Sequence, residues 1–243
     1  MKKKKKVWII ICAAVAVVVV LVLANVAPFF SMSPAATERI SGTGVIAVNN
    51  SMCNVYLVES NEGYALIDAG INMNGLAKTL AELGVDPAGV KYVFLTHSDG
   101  DHVAALPLFP NATIYMGEDE KQLLDGRTNR SGGAGNSLPA GIDIDSIVLL
   151  GDGQEITIGE RVIKAVKAPG HTPGSMLYIA DDKYVFSGDA FKIANNKMSV
   201  HPFTMDDKTS KDSMQKHYKE IKKTYLTLTA HYGYFVSPDL VLS

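Results

Sequence analysis

The chain has 243 residues, of which 47% are hydrophobic, a composition that allows one domain with a sizeable core. Its formal charge is −2, and setting aside the five lysines at positions 2–6 changes that charge from −2 to −7. No nucleic-acid partner is expected for so acidic a body, because phosphate backbones need compensating Lys and Arg side chains.

The N-terminus joins a basic run to a long apolar stretch. Five lysines precede about 18 apolar residues, Val7 to Ala24, which is just long enough to cross a bilayer. Lysines before such a span keep that end in the cytoplasm. We therefore expect single-pass attachment to the cell membrane, with a cytoplasmic segment at 1–6, a transmembrane signal anchor at 7–24, a linker at 25–40 and an extracytoplasmic domain at 41–243. A cleaved signal peptide and a secreted domain are the alternative.

The first half of the domain is predicted to contain short strands and two helices. Leucines at 76, 80 and 83 recur at helical spacing before Gly84. Strand-like runs occur at 44–48, 54–58, 64–68, 92–95 and 113–115, with a hairpin turn at 61–63 and a short helix at 118–124. The Gly/Ser-rich segment 125–141 is either a disordered surface loop or a mobile flap over the site.

The second half repeats the strand pattern. Strands are predicted at 146–150, 155–158, 161–167, 175–180, 183–187 and 225–230, with hairpin turns at 152–153 and 181–182. A lysine-rich helix at 209–223 carries His217, which we expect on a solvated face. Periodicity alone thus indicates a mixed α and β fold.

Potential metal ligands follow the apolar runs. His97 and Asp99 come directly after the strand at 92–95 and can converge on one ion, because i and i+2 side chains point the same way. Asp101 and His102 lie past Gly100, where the chain can turn back. Three further candidates stand in tight-turn contexts or at strand ends: His171, Asp189 and His231.

These residues resemble the ligand set of the metallo-β-lactamase superfamily, in its glyoxalase II and lactonase-like form, over roughly residues 43–235. The family pattern is His-x-His-x-Asp-His, a lone His, a bridging Asp and a final His. This chain supplies, in that order, His97, Asp101, His102, His171, Asp189 and His231. Asp99 stands where the family has its second histidine. The resemblance implies an α+β fold, a four-layer αββα sandwich, here preceded by one transmembrane helix.

The resemblance also implies a binuclear metal centre with two divalent ions, most often zinc. One ion would take His97, Asp99 and His171, the other would take Asp101, His102 and His231, and Asp189 would bridge them. A bridging water of lowered pKa would supply hydroxide, oriented by Asp101 as the catalytic residue. We expect hydrolysis of a small-molecule ester, thioester or lactone.

Asp99 leaves alternatives open. A carboxylate at this position hardens the site and shifts metal preference towards Mn or Fe, which resembles the di-iron oxidoreductase branch of the superfamily. Asp99 could also fail to ligate. A β-lactam hydrolase and a metal-poor binding module are further alternatives.

Other residues near these ligands in sequence are weaker candidates. His201 and Phe203 are predicted to line a substrate pocket, or else to be plain loop residues, and Tyr232 either donates to an oxyanion or only packs. Cys53 is expected to be an inert core thiol, and it has no sensible disulfide partner in Cys12.

Overall fold

The structure, a computed structural model, describes residues 11–12, 15–20, 27, 29–130 and 136–243. The chain divides into two units, residues 1–32 and 33–243. In the first, residues 11–12 and 15–20 are helical and exposed. The predicted cytoplasmic segment and the rest of the predicted transmembrane span lie outside the described residues. No helix within the described ranges is both long and apolar enough to cross a membrane.

The first sheet of the second unit carries the strand that leads into the His97 motif. Its strands, in spatial and sequence order, are β1 (Glu38–Ile40), β2 (Val45–Asn50), β3 (Cys53–Ser60), β4 (Gly63–Ile67), β5 (Tyr92–Leu95), β6 (Thr113–Gly117) and β7 (Val148–Leu150). Pairing is antiparallel from β1 to β4 and parallel from β4 to β7. The carboxyl ends of β4, β5 and β6 therefore meet at one edge of the sheet.

The second sheet has the spatial order β15-β14-β11-β10-β9-β8. These strands are β8 (Glu155–Ile158), β9 (Arg161–Lys167), β10 (Met176–Ala180), β11 (Tyr184–Gly188), β14 (Leu226–Thr229) and β15 (Gly233–Val236). A small third sheet joins β12 (Lys192–Ala194), β13 (Lys197–Ser199) and β16 (Val241–Leu242). Because β11 and β14 are parallel, the residues that follow them, Asp189 and His231, emerge side by side.

Four α-helices are formed by the described residues of the second unit: α1 (Met73–Glu82), α2 (Gly100–Val103), α3 (Lys121–Leu124) and α4 (Asp207–Ile221). Short 3₁₀ turns occur at Pro87–Gly89, Leu106–Leu108, Glu118–Glu120, Ile144–Ser146 and Ser237–Asp239. The two longer helices begin with side-chain caps, since Asn72 accepts from the Gly75 N–H and Asp206 from the Thr209 N–H. Helix α2 lies inside the His97 motif and turns Asp101 and His102 back towards the strand ends.

The core is arranged in layers. Side chains alternate along β3, so that Tyr56 and Val58 enter the cluster shared with the second sheet, whereas Val55 and Leu57 enter the cluster that holds Leu76 and Leu80 of α1. On the far side, Met214 and Ile221 of α4 pack on Leu177 and Val185 of the second sheet, among others. This order of helix, sheet, sheet and helix confirms the predicted αββα sandwich.

Three details differ from the prediction. The segment predicted as linker contains strand β1. This strand pairs with β2 over only three residues, which are too few to give a recognisable sequence pattern. The turn at 152–153 is not a hairpin, because β7 pairs with β6 and β8 pairs with β9, so the chain passes there between the sheets. His217 is buried rather than solvated, and its Nε2 donates to the Lys167 carbonyl at 2.9 Å.

The two sheets are tied together beside the His97 motif. Tyr178 of β10 donates its hydroxyl to the Leu95 carbonyl at 2.9 Å, and the Met176 N–H donates to the Thr96 carbonyl at 2.9 Å. Gly188 approaches Thr96 so closely that a Cβ would lie 2.3 Å from the Thr96 Oγ1, and its φ of +49° also favours glycine. The ends of β5 and β11 can therefore meet.

Candidate metal centre

Asp68, at the end of β4, organises the start of the motif. Its buried carboxylate accepts bonds from the Thr96 N–H at 2.8 Å and from the Thr96 hydroxyl, and Nδ1 of His102 donates to its Oδ2 at 2.9 Å. A carboxylate on the far ring nitrogen of a metal-binding histidine fixes the tautomer and the orientation of the ring. Asp68 therefore leaves Nε2 of His102 as the nitrogen that faces the centre.

The centre is built around one oxygen, Oδ2 of Asp189. Nε2 atoms of four histidines lie 3.2–3.7 Å from it: His231 at 3.2 Å, His171 at 3.5 Å, and His102 and His201 at 3.7 Å. All five side chains are almost fully buried. Asp101 joins from the rim, with its Oδ2 3.2 Å from His231 Nε2.

Buried side-chain atoms without a hydrogen-bond partner provide a test of whether cations fit at this centre. His231 donates its Nδ1 to the Met52 carbonyl at 2.7 Å, and His97 Nδ1 lies 3.1 Å from the Thr96 hydroxyl. Nε2 of His97, Nε2 of His102 and Oδ1 of Asp189 are buried with no hydrogen-bond partner among the described residues. Buried polar atoms are rarely left so, and imidazole and carboxylate are ligands of divalent metals. The residues fit the metal ions that the resemblance implies.

The charges of the centre are strongly coupled. Burial disfavours the charged form of Asp189, yet His231, His201 and His102 outweigh it and hold its pKa well below the usual range. Burial likewise opposes the charge of His231, but Asp189 and Asp101 raise its pKa to about 10. The pKa of Asp101 falls to about 2, because His102 and His231 outweigh the effect of burial. A cation binding here must therefore displace protons from histidine.

The predicted ligands fall into overlapping groups whose candidate ligand atoms lie within 4.8 Å of one another. Among the described residues these groups are His97–Asp99–His171, Asp101–His102–His231, His97–His102–Asp189 and His171–Asp189–His201. The structure thus brings all seven predicted ligands to one place. It also adds His201, which the sequence suggested only as a pocket residue.

Asp99 differs from the other predicted ligands, because its carboxylate already has a cationic partner. Arg130 donates Nε to Asp99 Oδ1 at 3.0 Å and Nη2 to Oδ2, while Asn136 Nδ2 donates to Oδ1 at 2.8 Å. Arg130 Nη2 also lies 3.1 Å from His171 Nε2. Burial opposes the charge on Asp99, but His97 and His171 hold its pKa well below the usual range. The carboxylate is thus anionic and fully hydrogen-bonded.

Glu120, which is fully buried, connects the two loops that carry His97 and His171. Its Oε1 accepts from the Ser98 N–H at 2.8 Å and the Ser98 hydroxyl at 2.7 Å, and its Oε2 accepts from the Thr172 hydroxyl at 2.6 Å and the Gly174 N–H at 3.0 Å. Gly174 packs so closely that a Cβ would lie 2.0 Å from the Glu120 nitrogen. This carboxylate therefore fixes the distance between the loops.

The predicted substrate contacts surround His201. The ring centroids of Phe203 and Tyr232 lie 5.8 and 5.9 Å from that of His201, and the Phe203 carbonyl accepts from Arg130 Nη1 at 3.0 Å. Cys53 is buried at the start of β3 with its Sγ 3.2 Å from the Asp101 carbonyl. Burial raises the pKa of this thiol to about 12, as suits an inert core cysteine.

Sequence reasoning missed Asp68, Glu120, Arg130 and Asn136. Asp68 carried a usable signal, since it ends a predicted strand just as Asp189 does. Glu120 sits in an unremarkable acidic turn, and Arg130 and Asn136 lie in the Gly/Ser-rich segment, of which residues 131–135 are outside the described ranges. Nothing in their local sequence indicates a role.

Comparison with known proteins identifies the family. A family model described as the metallo-β-lactamase superfamily matches residues 48–221. A probable metallo-hydrolase from Methanocaldococcus jannaschii is 27% identical over 63% of this chain and 64% of its own length. A probable polyketide biosynthesis zinc-dependent hydrolase from Bacillus velezensis is 28% identical over 58% of this chain and 55% of its own. The matches thus span less than two thirds of these relatives.

A solved structure agrees in fold. A B3 metallo-β-lactamase described as having an active-site glutamic acid superposes with a TM-score of 0.63 at 20% identity, covering 88% of this chain and 86% of that one. At this identity the likeness shows the fold alone. The family match spans most of the sandwich, from β2 to the end of α4. The chain belongs to the metallo-β-lactamase superfamily.

Proposed function

We propose that this chain is a hydrolase that uses two divalent cations to cleave small esters, thioesters or lactones. The observation that carries this proposal is the ring of four histidine Nε2 atoms 3.2–3.7 Å from Asp189 Oδ2. Two ligands about 2.1 Å from one tetrahedral ion are about 3.4 Å apart, so these spacings suit shared cations. The names of the relatives, metallo-hydrolase and zinc-dependent hydrolase, support the reaction class.

Six of the seven predicted ligands, all but Asp99, are retained in this proposal, with zinc as the favoured metal because four of the six are imidazoles. Manganese or iron would be favoured if Asp99 joined the set. The di-iron oxidoreductase alternative was suggested by the carboxylate at position 99. Because Asp99 is bound by Arg130, that suggestion is weakened. Iron content decides that alternative directly.

The chain's own residues supply proton transfer and positioning. Bound cations would lower the pKa of a coordinated water and polarise an acyl carbonyl. Asp101 is more accessible than Asp189, with 22% against 5% of its side chain exposed. Its low pKa keeps it anionic at neutral pH, so Asp101 Oδ2 accepts a hydrogen bond from the attacking water. As the water oxygen attacks the acyl carbon, its proton passes to Asp101. When the acyl bond to oxygen or sulfur breaks, the same proton passes from Asp101 to the leaving group.

The surroundings of the centre favour a small substrate. Phe203 and Tyr232 contribute aromatic surface beside His201. The acidic body, with a charge of −7 once the five N-terminal lysines are subtracted from −2, disfavours polyanions such as nucleic acid. We therefore propose uncharged or weakly charged acyl substrates, contacted by Phe203 and Tyr232 beside His201.

We also propose that residues 7–24 anchor the chain in the cell membrane, with the linker at 25–40 and the domain at 41–243 outside the cytoplasm. The lysine run and the apolar stretch support this proposal. Protease added to intact cells should digest the domain if it is extracytoplasmic. Recovery of the chain in the soluble extracellular fraction would favour the secreted alternative.

Metal analysis and a substrate panel test the proposed reaction. The full-length chain is purified in detergent without added metal, beside Asp189→Asn as the matched variant, and both are analysed for zinc, manganese and iron. Each is assayed with p-nitrophenyl esters, an acyl thioester, an aliphatic lactone and a chromogenic β-lactam.

We expect two metals per wild-type chain and turnover of an ester, thioester or lactone that Asp189→Asn loses. A wild-type chain with one metal or none would contradict the binuclear proposal. Two irons without hydrolysis would favour the oxidoreductase, and turnover confined to the β-lactam would favour the lactamase.

A further inference from the structure

His201 is a buried histidine beside the candidate metal centre. It follows β13 in a loop, and its side chain is 1% exposed. Neither Nδ1 nor Nε2 has a hydrogen-bond partner among the residues that the structure describes. A histidine kept in the core for structural reasons bonds at least one nitrogen, as His217 does with the Lys167 carbonyl. The ring of His201 therefore points to a ligand.

The direction of the ring shows where that ligand would lie. Nε2 of His201 is 3.7 Å from Asp189 Oδ2, and its ring centroid is 4.9 Å from that of His171. Candidate ligand atoms of His171, Asp189 and His201 all lie within 4.8 Å of one another. Phe203 and Tyr232 pack around the same ring and hold it in place.

Asp99, by contrast, is occupied. Arg130 and Asn136 together fill both of its oxygens, and the arrangement with Arg130 is a two-bond fork. A cation could bind Asp99 only by displacing Arg130 or Asn136 from one of these oxygens. Nε2 of His171 lies 3.1 Å from Arg130 Nη2 and 3.2 Å from Asp99 Oδ2. A cation at His171 would have to displace the contact with Nη2, but it need not break the two bonds of the fork to Asp99.

We propose that His201, with His171 and Asp189, binds one of the two cations, and that Asp99 is held by Arg130 instead of binding metal. This inference rests on the proposed binuclear function and reassigns one ligand within it. The second cation keeps Asp101, His102 and His231, whose candidate ligand atoms also lie within 4.8 Å. Histidine at 201 thus compensates for the carboxylate that replaces histidine at 99.

Metal stoichiometry distinguishes the two assignments. Full-length wild type, His201→Phe and Asp99→Asn are loaded with Zn²⁺, passed through a desalting column and analysed for bound zinc. His217→Phe is the matched control, because it also removes a buried imidazole but lies outside the centre. We expect two zinc ions in wild type, Asp99→Asn and His217→Phe, and about one in His201→Phe.

A second variant tests ligation spectroscopically and covers a failure of His201→Phe to fold. His201→Cys loaded with Co²⁺ should show a thiolate-to-cobalt absorption band in the near ultraviolet, relative to wild type. Asp99→Cys should not. These spectra do not depend on the substrate.

The opposite pattern would overturn the inference: two zinc ions in His201→Phe, one in Asp99→Asn, and the cobalt band only in Asp99→Cys. That outcome would leave the binuclear hydrolase intact. A wild-type chain that binds fewer than two zinc ions would instead contradict the proposed function itself. The two failures are therefore distinguishable.

Discussion

Replacing Glu120 with glutamine tests whether this carboxylate holds the two ligand loops together. The substitution preserves shape but turns one acceptor oxygen into an NH₂ donor. In one orientation of the amide, the new NH₂ faces the Ser98 hydroxyl and the Ser98 N–H. In the other, it faces the Thr172 hydroxyl and the Gly174 N–H. Each orientation therefore sets the NH₂ against two groups that donated to Glu120. Two of the four hydrogen bonds are lost.

The magnitude follows from the kind of bond. A hydrogen bond to a charged group contributes about 1.5–3 kcal/mol, so losing two costs about 3–6 kcal/mol. The hydroxyl of Ser98 or Thr172 can rotate to accept from the new NH₂ and recover about 1 kcal/mol, whereas the backbone N–H cannot reverse. We expect the free energy of unfolding to fall by roughly 2–5 kcal/mol.

Equilibrium urea unfolding followed by far-ultraviolet circular dichroism measures this change, with metal removed so that ligand binding does not contribute. The control is Glu118→Gln, two residues away. Glu118 is exposed and its carboxylate bonds Lys167 at 2.8 Å, so its loss should cost about 0–1 kcal/mol. If Glu120→Gln costs no more than Glu118→Gln, Glu120 is not the tie between the loops.

Three further predictions concern the centre and its neighbour Cys53. Asp68→Asn should weaken metal affinity about 10–100-fold by competition titration, because a neutral amide orients His102 less firmly; unchanged affinity would refute that role. In the metal-free protein His231, with a pKa raised to about 10, contributes stability that is complete below about pH 6.5 and is lost as pH rises through 10. Unfolding free energy should therefore fall from pH 7 to 10, and His231→Gln should flatten that slope. With Cys12→Ser as background, a disulfide reagent at pH 8 should leave native Cys53 unmodified and label it after denaturation, since its pKa is about 12; rapid native labelling would contradict its burial.

The sequence predicts the fold well where signals are local. Apolar runs placed most of the long strands within a few residues, and both positive-φ residues of the 181–182 turn, each with φ +54°, match the predicted hairpin between β10 and β11. The turn at 152–153 has the same Asp-Gly chemistry as many hairpins. The strands on either side of this turn nevertheless pair with other strands and not with each other. Strand pairing therefore depends on contacts across the whole sheet, and a turn motif carries no information about those contacts.

The buried face of a helix was harder to predict where most of its residues are polar. The inner face of α4 is formed by Ser210, Ser213, Met214, His217 and Ile221. Serines and a histidine between lysines resemble a solvated face, although their spacing is that of a buried stripe. The strands of the small third sheet have two or three residues each and could not be predicted for a different reason, which is that so short a run has no period.

The ligand positions were predictable because each side chain lies at a strand end or in a tight turn. Their supports were not. Asp68 meets His102 only through the parallel pairing of β4 with β5, and Glu120 meets Ser98 and Gly174 only once three separate loops converge. Contacts that depend on register between distant segments leave no trace in either segment alone.

Because the candidate ligands lie at the ends of strands from both sheets, bound metal would affect the stability of the folded chain. A cation held by His102 from the first sheet and Asp189 and His231 from the second would be a noncovalent cross-link across the sandwich. Its ligands come from segments far apart in sequence, so uptake would follow folding and not nucleate it. Free metal at one hundred times Kd would add about 2.7 kcal/mol to stability. Metal starvation would then shorten the lifetime of the chain as well as abolish the proposed hydrolysis.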